Sequence, residues 1–378
     1  MFCNVTCQVL YPSPNFFSNG KSLVDNLALG GGVIFKRVFM RIQLTHTFKD
    51  IISLDNLLAA WQEFVRGKRN KTDVQLFSRH LAERLTVLHE SLANKQYRHG
   101  GYYAFSITDP KPRSIHKAKV EDRVLHHAVY RLLYPFFDNA FIYDSYSCRQ
   151  DKGTHKASEQ FKKFCFKVSH NHTRTCWVLK CDIRKFFASV DQAVLLGILS
   201  LYIPDQDILW LLKEIISSFQ STEAGKGLPL GNLTSQLLVN VYMHEFDYYV
   251  KHYLKGRYYI RYADDFVIVS SDKTWLKAQI PLIQRFLHEV LLLSLHPDKV
   301  YIRSLASGVD FLGWVNFPDH RVLRPATVRR MRKRIKENPK PETVQSYLGL
   351  MKHVNAQRLS QAIVNDYGLW KNEQRYSE

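Results

Sequence analysis

Apolar residues recur at helical spacing from about 54 to 95, first as Leu57, Leu58, Trp61 and Phe64 and then as Leu76, Leu81, Leu85 and Leu88. That pattern predicts two helices joined by the basic turn Arg66-Gly67-Lys68-Arg69-Asn70-Lys71. Tyr102 to Ile107 reads as a strand, and Lys111-Pro112-Arg113 breaks it before a second strand and a helix from about 120 to 134. Cys176 to Ile183 has the unbroken apolar character of a buried strand, ends in an acid and runs into Phe186-Phe187. Helices follow at about 191–201 and 205–219, then a Gly-rich loop at 225–231 and a long helical stretch at about 232–254. Tyr258 to Tyr262 and Asp265 to Ser270 are strands joined by Ala263-Asp264, a hairpin with acids at its tip. A helix at about 274–292, a strand near 299–303 and a hairpin near 309–324 come next, and the remainder is helical and basic. No internal repeat stands out. Residues 1–39, with Gly30-Gly31-Gly32, read as poorly organised, and an ordinary opening begins at Met40, so an upstream start or a loose extension is expected.

Charge narrows the class of partner. The 378 residues carry 53 Lys+Arg against 34 Asp+Glu, a formal charge of +19 and a pI near 9.6. Such a surface favours a polyanion through counterion release, and nucleic acid is the leading candidate. An anionic membrane would require a lipid anchor or an amphipathic surface helix, and neither is evident. No apolar run reaches the roughly 20 residues of a membrane span, and no signal peptide is recognisable. The six cysteines contain no CxxC pair, which points to a reducing, cytoplasmic setting. His170 and His172 near Cys165 and Cys176 match no common zinc spacing and read as polar loop residues. Eight Lys/Arg and one Glu between 324 and 340 suit either a solvated helix face or a binding surface.

Nucleotidyl transfer needs carboxylates converging from separate strands, because two divalent cations must bridge the attacking 3′ hydroxyl and the leaving pyrophosphate. Asp182 and the pair Asp264-Asp265 each follow an apolar strand and supply such a set. An acid pair at a hairpin tip is by itself usually a turn former, so the surrounding motifs decide.

Tyr262-Ala263-Asp264-Asp265 resembles the YxDD motif of reverse transcriptases, and Lys180-Cys181-Asp182-Ile183-Arg184-Lys185-Phe186-Phe187 resembles their first catalytic motif, about 80 residues upstream. The resemblance covers roughly residues 55 to 355. It implies two magnesium ions, with manganese as an alternative, on Asp182, the Ile183 backbone, Asp264 and Asp265. Lys111-Pro112-Arg113-Ser114-Ile115 with Glu121-Asp122-Arg123-Val124 looks like the fingers segment, where Arg113 would meet the incoming triphosphate. By the same resemblance Phe187 would stack under the sugar and exclude a 2′ hydroxyl, with core packing as the alternative. Leu295-His296-Pro297-Asp298-Lys299 is similar to the segment that places a lysine near the pyrophosphate, and Lys299 would protonate that leaving group or else be a solvated turn residue. Phe311-Leu312-Gly313-Trp314 resembles the primer grip; Phe311 and Trp314 fit a core equally well, while Gly313 would permit close approach of a primer.

Gly227-Leu228-Pro229-Leu230-Gly231-Asn232-Leu233-Thr234-Ser235-Gln236 departs from the usual family form, with Leu230 in place of Gln and Gln236 in place of Pro. This looks like diversity-generating retroelement reverse transcriptases and related unclassified bacterial ones, where the apolar residue is linked to low fidelity. The YADD form also resembles group II intron enzymes, and several unclassified lineages serve phage defence. Within the 378 residues no HNH-like or ribonuclease H-like segment is read, which disfavours complete intron mobility.

The expected fold is α+β, a right-hand polymerase: an N-terminal extension at 1–54, fingers at 55–175, a palm with an antiparallel sheet at 176–323 and a basic helical thumb at 324–378. The expected activity is RNA-directed DNA synthesis, with Arg113, Phe187, Leu230 and Gln236 shaping the nucleotide pocket and Phe311, Leu312 and Gly313 gripping the primer. Implied partners are an RNA template, a cDNA or primer, dNTPs and a structured noncoding RNA, and the retroelement branch adds a small basic accessory protein. Competing readings are a defence-associated enzyme, an RNA-binding maturase-like subunit with an idle site, and a template-independent terminal transferase.

Overall fold

A computed structural model describes residues 42–108 and 112–375, with side chains to 368. The expectations for residues 1–39 and for Lys111 lie outside the described residues. Helices and antiparallel strands alternate in the α+β manner predicted. The chain divides into two compact units, each assembled from separate stretches of sequence. One gathers the residues up to Phe141 with Lys185–Phe246 and Phe286–Leu293; the other gathers Ile142–Arg184, Asp247–Arg285 and Ser294–Glu378.

In the first unit the helix Leu54–Phe64 buries Leu57, Trp61 and Phe64, and Asn56 Nδ2 donates to the Ala128 carbonyl of the helix Val120–Ala140. Leu58 and Leu76, counted with the apolar stripe in the sequence, are exposed, while Val74 and Phe77 are buried. The second predicted helix is two, Thr72–Arg79 and Leu81–Ala93, separated where His80 takes φ −120° and ψ 35° outside the helical region. Strands β1 (Tyr102–Ile107) and β2 (Arg113–Ala118) form an antiparallel ribbon. The helix that follows runs to Ala140, beyond the predicted end near 134, and contains Pro135. Helices Gln192–Ser200, Gln206–Ser217 and Leu233–Tyr248 lie close to their predicted bounds, the last continuing into a π-turn at Tyr249–Tyr253.

The second unit is built on a four-stranded antiparallel sheet in the order β4 (Tyr259–Tyr262), β5 (Asp265–Ser270), β3 (Trp177–Asp182), β6 (Tyr301–Ser304). Val178, Ile260, Val267 and Val269 pack on Phe161, Phe164 and Cys165 of the helix Thr154–Val168, an element the periodicity did not reveal. Leu179, Cys181, Phe266 and Ile268, which alternate with them, are equally buried. Burial on both faces explains why these strands read as apolar runs rather than alternating ones. The predicted hairpin near 309–324 is a three-stranded sheet of β7 (Val309–Phe311), β8 (Trp314–Asn316) and β9 (Arg321–Leu323). Helices Pro325–Glu337, Pro341–Met351 and Gln357–Arg375 follow, the first two opening with the proline whose missing N–H costs a helix start nothing. Met331, Ile335, Val344, Met351 and Ile363 share one core with Trp314 and Leu323.

One charged pair sits inside the second unit. Arg261 on β4 donates from Nε to Asp247 Oδ1 and from Nη2 to Asp247 Oδ2, both at 2.7 Å, with neither side chain exposed. Its Nη2 also donates to Ser145 Oγ at 3.1 Å and its Nη1 to the Ala263 carbonyl at 3.2 Å, while Tyr259 Oη donates to Asp247 Oδ1 at 2.7 Å. The Arg261 backbone is held too, its N–H donating to the Asp144 carbonyl and its carbonyl accepting from the Tyr146 N–H, both at 3.0 Å. Removing one partner of a buried pair strands the other's charge, so Asp247→Ala is expected to lose about 3–5 kcal/mol of stability in urea unfolding. The paired change Asp247→Leu with Arg261→Met is expected to recover much of that loss, since no charge is then left in the core.

Candidate active site

The register of β3 on β5 sets Asp182 directly opposite Asp265, and Asp264 occupies the turn beside it. The end of β3 is fixed from two sides: the Ile183 N–H donates to the Asp264 carbonyl at 3.2 Å, and the Asp182 carbonyl accepts from the His296 N–H at 2.7 Å. A bridge between Ile183 and Leu295 and a bond from the Arg184 N–H to the Ser294 carbonyl continue the clamp. The β4–β5 turn is held in an uncommon conformation, with Ala263 at φ +54°. A left-handed alanine costs about 1–2 kcal/mol, and the Arg261 guanidinium on its carbonyl helps to hold it there.

Lysines partly balance the carboxylates. Lys299 Nζ lies 2.9 Å from Asp182 Oδ1, and Lys180 Nζ lies 3.3 Å from Asp265 Oδ2. The other oxygen, Asp265 Oδ1, is buried and has no hydrogen-bond partner among the described residues. Burial pushes the Asp265 carboxyl up to about 6; Lys180 opposes the rise, and Asp182 and Asp264 add to it. Burial, and then the charges of Asp265 and Asp182, push the Cys181 thiol up as well, so it stays a neutral thiol. As the side chains stand, no three acidic, histidine or cysteine groups among the described residues already close around one point. The donor set nevertheless fits a hard divalent cation: three carboxylates from two strands and a turn, one with an orphaned oxygen, and two ammonium groups that a cation would displace.

The remaining predicted residues fall in both units. Phe311 is fully buried and packs on Phe161 at 5.3 Å between ring centroids, and Trp314 is in the core as well. Leu312 and Gly313 form the two-residue β7–β8 turn, with φ +52° and +95°, the left-handed pair that a tight hairpin favours. In the first unit, Phe186 is buried while Phe187 is half-buried, and the Phe187 carbonyl accepts from the Leu228 N–H at 2.8 Å. The Leu230 carbonyl accepts from the His116 N–H of β2 at 3.0 Å, which brings the strand of Arg113 beside the 227–236 motif. Arg113 is exposed, and Gln236 lies half-buried in the first turns of the helix Leu233–Tyr248.

Sequence reasoning passed over Lys180 and the pair Asp247–Arg261. The available signal was a charge inside an apolar strand, Lys180 in Trp177–Asp182 and Arg261 in Tyr259–Tyr262, which a buried strand tolerates only with a partner. Asp247, in a helix 14 residues before Arg261, had no such mark.

The Asp265 carboxyl keeps its proton to a higher pH in the folded chain than its ordinary value of 3.8. Its burial therefore contributes stability that is complete below about pH 4 and is lost as the pH rises through 6. In EDTA, Asp265→Asn is expected to gain about 1–3 kcal/mol on the wild type between pH 4 and pH 8, measured by denaturant unfolding at each pH.

Residues 108–315 match the family model described as reverse transcriptase (RNA-dependent DNA polymerase). Protein YkfC of Escherichia coli (strain K12) is 26% identical over 299 residues, covering 68% of this chain and 74% of YkfC. The group II intron-encoded protein LtrA of Lactococcus lactis subsp. cremoris is 24% identical over 279 residues, covering 55% of this chain. That match spans 44% of LtrA, less than half its length. No helix among the described residues is long and apolar enough to cross a membrane. With the family model over more than half its length and the YxDD-type hairpin set against β3, the chain belongs to the reverse transcriptase family, RNA-directed DNA polymerases with the fold of fingers, palm and thumb.

Proposed function

We propose that this chain copies an RNA template into cDNA with Asp182, Asp264 and Asp265 as the carboxylates that hold two divalent cations, magnesium by preference. The observation that carries the reading is the cross-strand pair Asp182–Asp265 with Asp264 at the adjoining turn. When bound, the ions would lower the pKa of the primer 3′ hydroxyl and neutralise charge on the leaving pyrophosphate. Asp182 and Asp264 are assigned to both ions with the Ile183 carbonyl, and Asp265 assists. Lys299, freed from Asp182, is assigned as the acid that protonates pyrophosphate. Lys180 holds the Asp265 carboxylate in place.

The first unit supplies the candidate nucleotide pocket. Arg113 on its exposed strand meets the triphosphate, and half-buried Phe187 leaves a ring face for the sugar while Phe186 anchors the turn in the core. Leu230 presents hydrocarbon where an amide would otherwise contact the nucleotide, and Gln236 completes the wall; the expected consequence is low fidelity. With that feature we assign the chain to a diversity-generating retroelement, supplied with a structured noncoding RNA and a small basic accessory protein. The fingers, palm and thumb are taken as 55–175, 176–323 and 324–378, the basic helix Pro325–Glu337 then facing nucleic acid.

In primer extension on an RNA template with magnesium, Asp264→Ala/Asp265→Ala is expected to lose activity by about 10²–10³-fold or more, the scale on which preorganised electrostatic groups contribute. Untemplated or mutant-insensitive synthesis overturns the reading. Product sequencing adds a second expectation: wild-type errors concentrate at template adenines, and Leu230→Gln lowers them. Uniformly accurate wild-type copying would favour the defence programme instead.

A further inference from the structure

A basic cavity of about 400 Å³ lies in the second unit, at the end of the four-stranded sheet away from the carboxylates. Asp265 opens β5 and Ser270, on the cavity lining, ends it, so the two stand roughly 17 Å apart along the strand. The floor is apolar, with Val168 of the helix Thr154–Val168 and Val269 of β5 both buried. The rim carries Lys167, Lys255 and Arg257, all exposed, and no carboxylate is among the described lining residues. Half-buried Tyr258 and Trp275 add an aromatic ring from each of two segments.

The three cations come from two separate stretches of chain, and the fold brings them to one opening. Lys167 sits in the last turn of its helix, where the helix dipole favours it without any ligand. No such local reason holds for Lys255 and Arg257. They flank a tight turn in which the Arg257 N–H donates to the Lys255 carbonyl at 2.8 Å, and Lys255 takes φ +56°, a left-handed conformation that costs a residue with a β-carbon. The turn is fixed at Gly256, whose N–H donates to the Val250 carbonyl at 2.8 Å and whose missing Cβ would stand 2.8 Å from Val250 Cγ1. Lys251 Nζ donates to the Arg257 carbonyl at 3.0 Å, and the Arg257 guanidinium lies over the Tyr258 ring at 5.4 Å. Lys251 has a carboxylate, Asp144 at 3.5 Å, whereas Lys167, Lys255 and Arg257 have no ion pair among the described residues. Asp272, close to the cavity in sequence, caps the next helix, accepting from the Trp275 N–H at 2.9 Å. Burial, and then Lys255 and Lys251, hold the His252 imidazole below its ordinary value, a second sign of the positive field here.

Unpaired like charges gathered by a strained turn around one opening form a site that an anion would relieve. The flanking rings narrow the anion further, because a base beside a phosphate can stack on them and a lone phosphate or an acidic side chain cannot. We propose that this cavity holds a backbone phosphate of an unpaired RNA segment lying outside the path of the template–primer duplex, with its neighbouring base against Tyr258 or Trp275. RNA rather than DNA follows from the polymerase reading, on which this inference rests: newly made cDNA is paired with its template, so the unpaired strand in the reaction is RNA. The site is an anchor for the RNA and takes no part in the chemistry at Asp182, Asp264 and Asp265.

The test uses the full chain already loaded with a chain-terminated primer–template duplex, to which a fluorescent oligouridylate about 12 nucleotides long is added, a length within the range that one single-strand site covers. The loaded wild type is expected to bind it, and Lys167→Ala/Lys255→Ala/Arg257→Ala to bind it at least about tenfold more weakly. The dependence of log K on log salt should flatten by about 2, the contribution of three phosphate contacts to a single strand. All three side chains are exposed, and unchanged primer extension on a short template checks that the variant is folded. Ultraviolet crosslinking of the oligouridylate to Tyr258 or Trp275, mapped by mass spectrometry, is expected as well. Equal affinity and salt slope in wild type and variant, with extension intact in both, overturn the anchor and leave the polymerase standing. Full displacement of the oligouridylate by millimolar inorganic phosphate overturns the strand and leaves only a phosphate site. Absence of extension by the wild type overturns the polymerase reading and the choice of RNA with it.

Discussion

The buried pair Asp247–Arg261 is the constraint on which the candidate active site depends. A guanidinium without solvent must satisfy its donors locally, and Arg261 does so on Asp247, Ser145 and the Ala263 carbonyl. Those bonds tie a helix end, the segment around 145 and the β4–β5 turn to one side chain. A buried ion pair is weak evidence for net stability, because desolvation offsets much of the attraction. Its value here is geometric: it specifies where the turn begins and holds a left-handed alanine immediately before Asp264 and Asp265. The strain is retained because several bonds together over-determine it.

From that fixed turn the electrostatics follow. The β3–β5 register places Asp182 against Asp265; burial raises the proton affinity of Asp265, and the charges of Asp182 and Asp264 add to it. Lys180 and Lys299 offset part of this, each on a different acid. The result is a cluster of three carboxylates and two ammonium groups, net negative, with one buried oxygen unsatisfied. Such a cluster is better suited to exchanging ammonium for a divalent cation than to standing as a structural network, in which every polar atom would be paired.

The same logic of unsatisfied atoms runs through the first unit. Asn232 and His126 are spent on one side, by His116 and His99, and open on the other. Their neighbours Phe105 and Ile115 lie directly opposite each other on one face of a two-stranded ribbon, Phe105 exposed and Ile115 half-buried. A ribbon of two strands is marginal alone, and two hydrogen bonds at His116 tie it to the 227–232 segment.

Much of this protein was legible in the linear chain. The apolar runs ending in Asp182 and flanking Ala263-Asp264 identified the strands, the hairpin and the acids, because local periodicity and turn length are properties of neighbouring residues. The spacing of those motifs also identified the family and the α+β class. Only the tertiary structure decided the rest. It split the helical region at His80, carried the helix after β2 through Pro135, made three strands of the last hairpin, and showed Leu58 and Leu76 exposed beside buried neighbours. It assigned Phe311 to the core and left Phe187 half open. It also paired Lys180 with Asp265 and Arg261 with Asp247. These outcomes turn on which surfaces meet across long sequence separations, and on the high cost of burying a charge or donor unpaired. Neither is a function of local pattern.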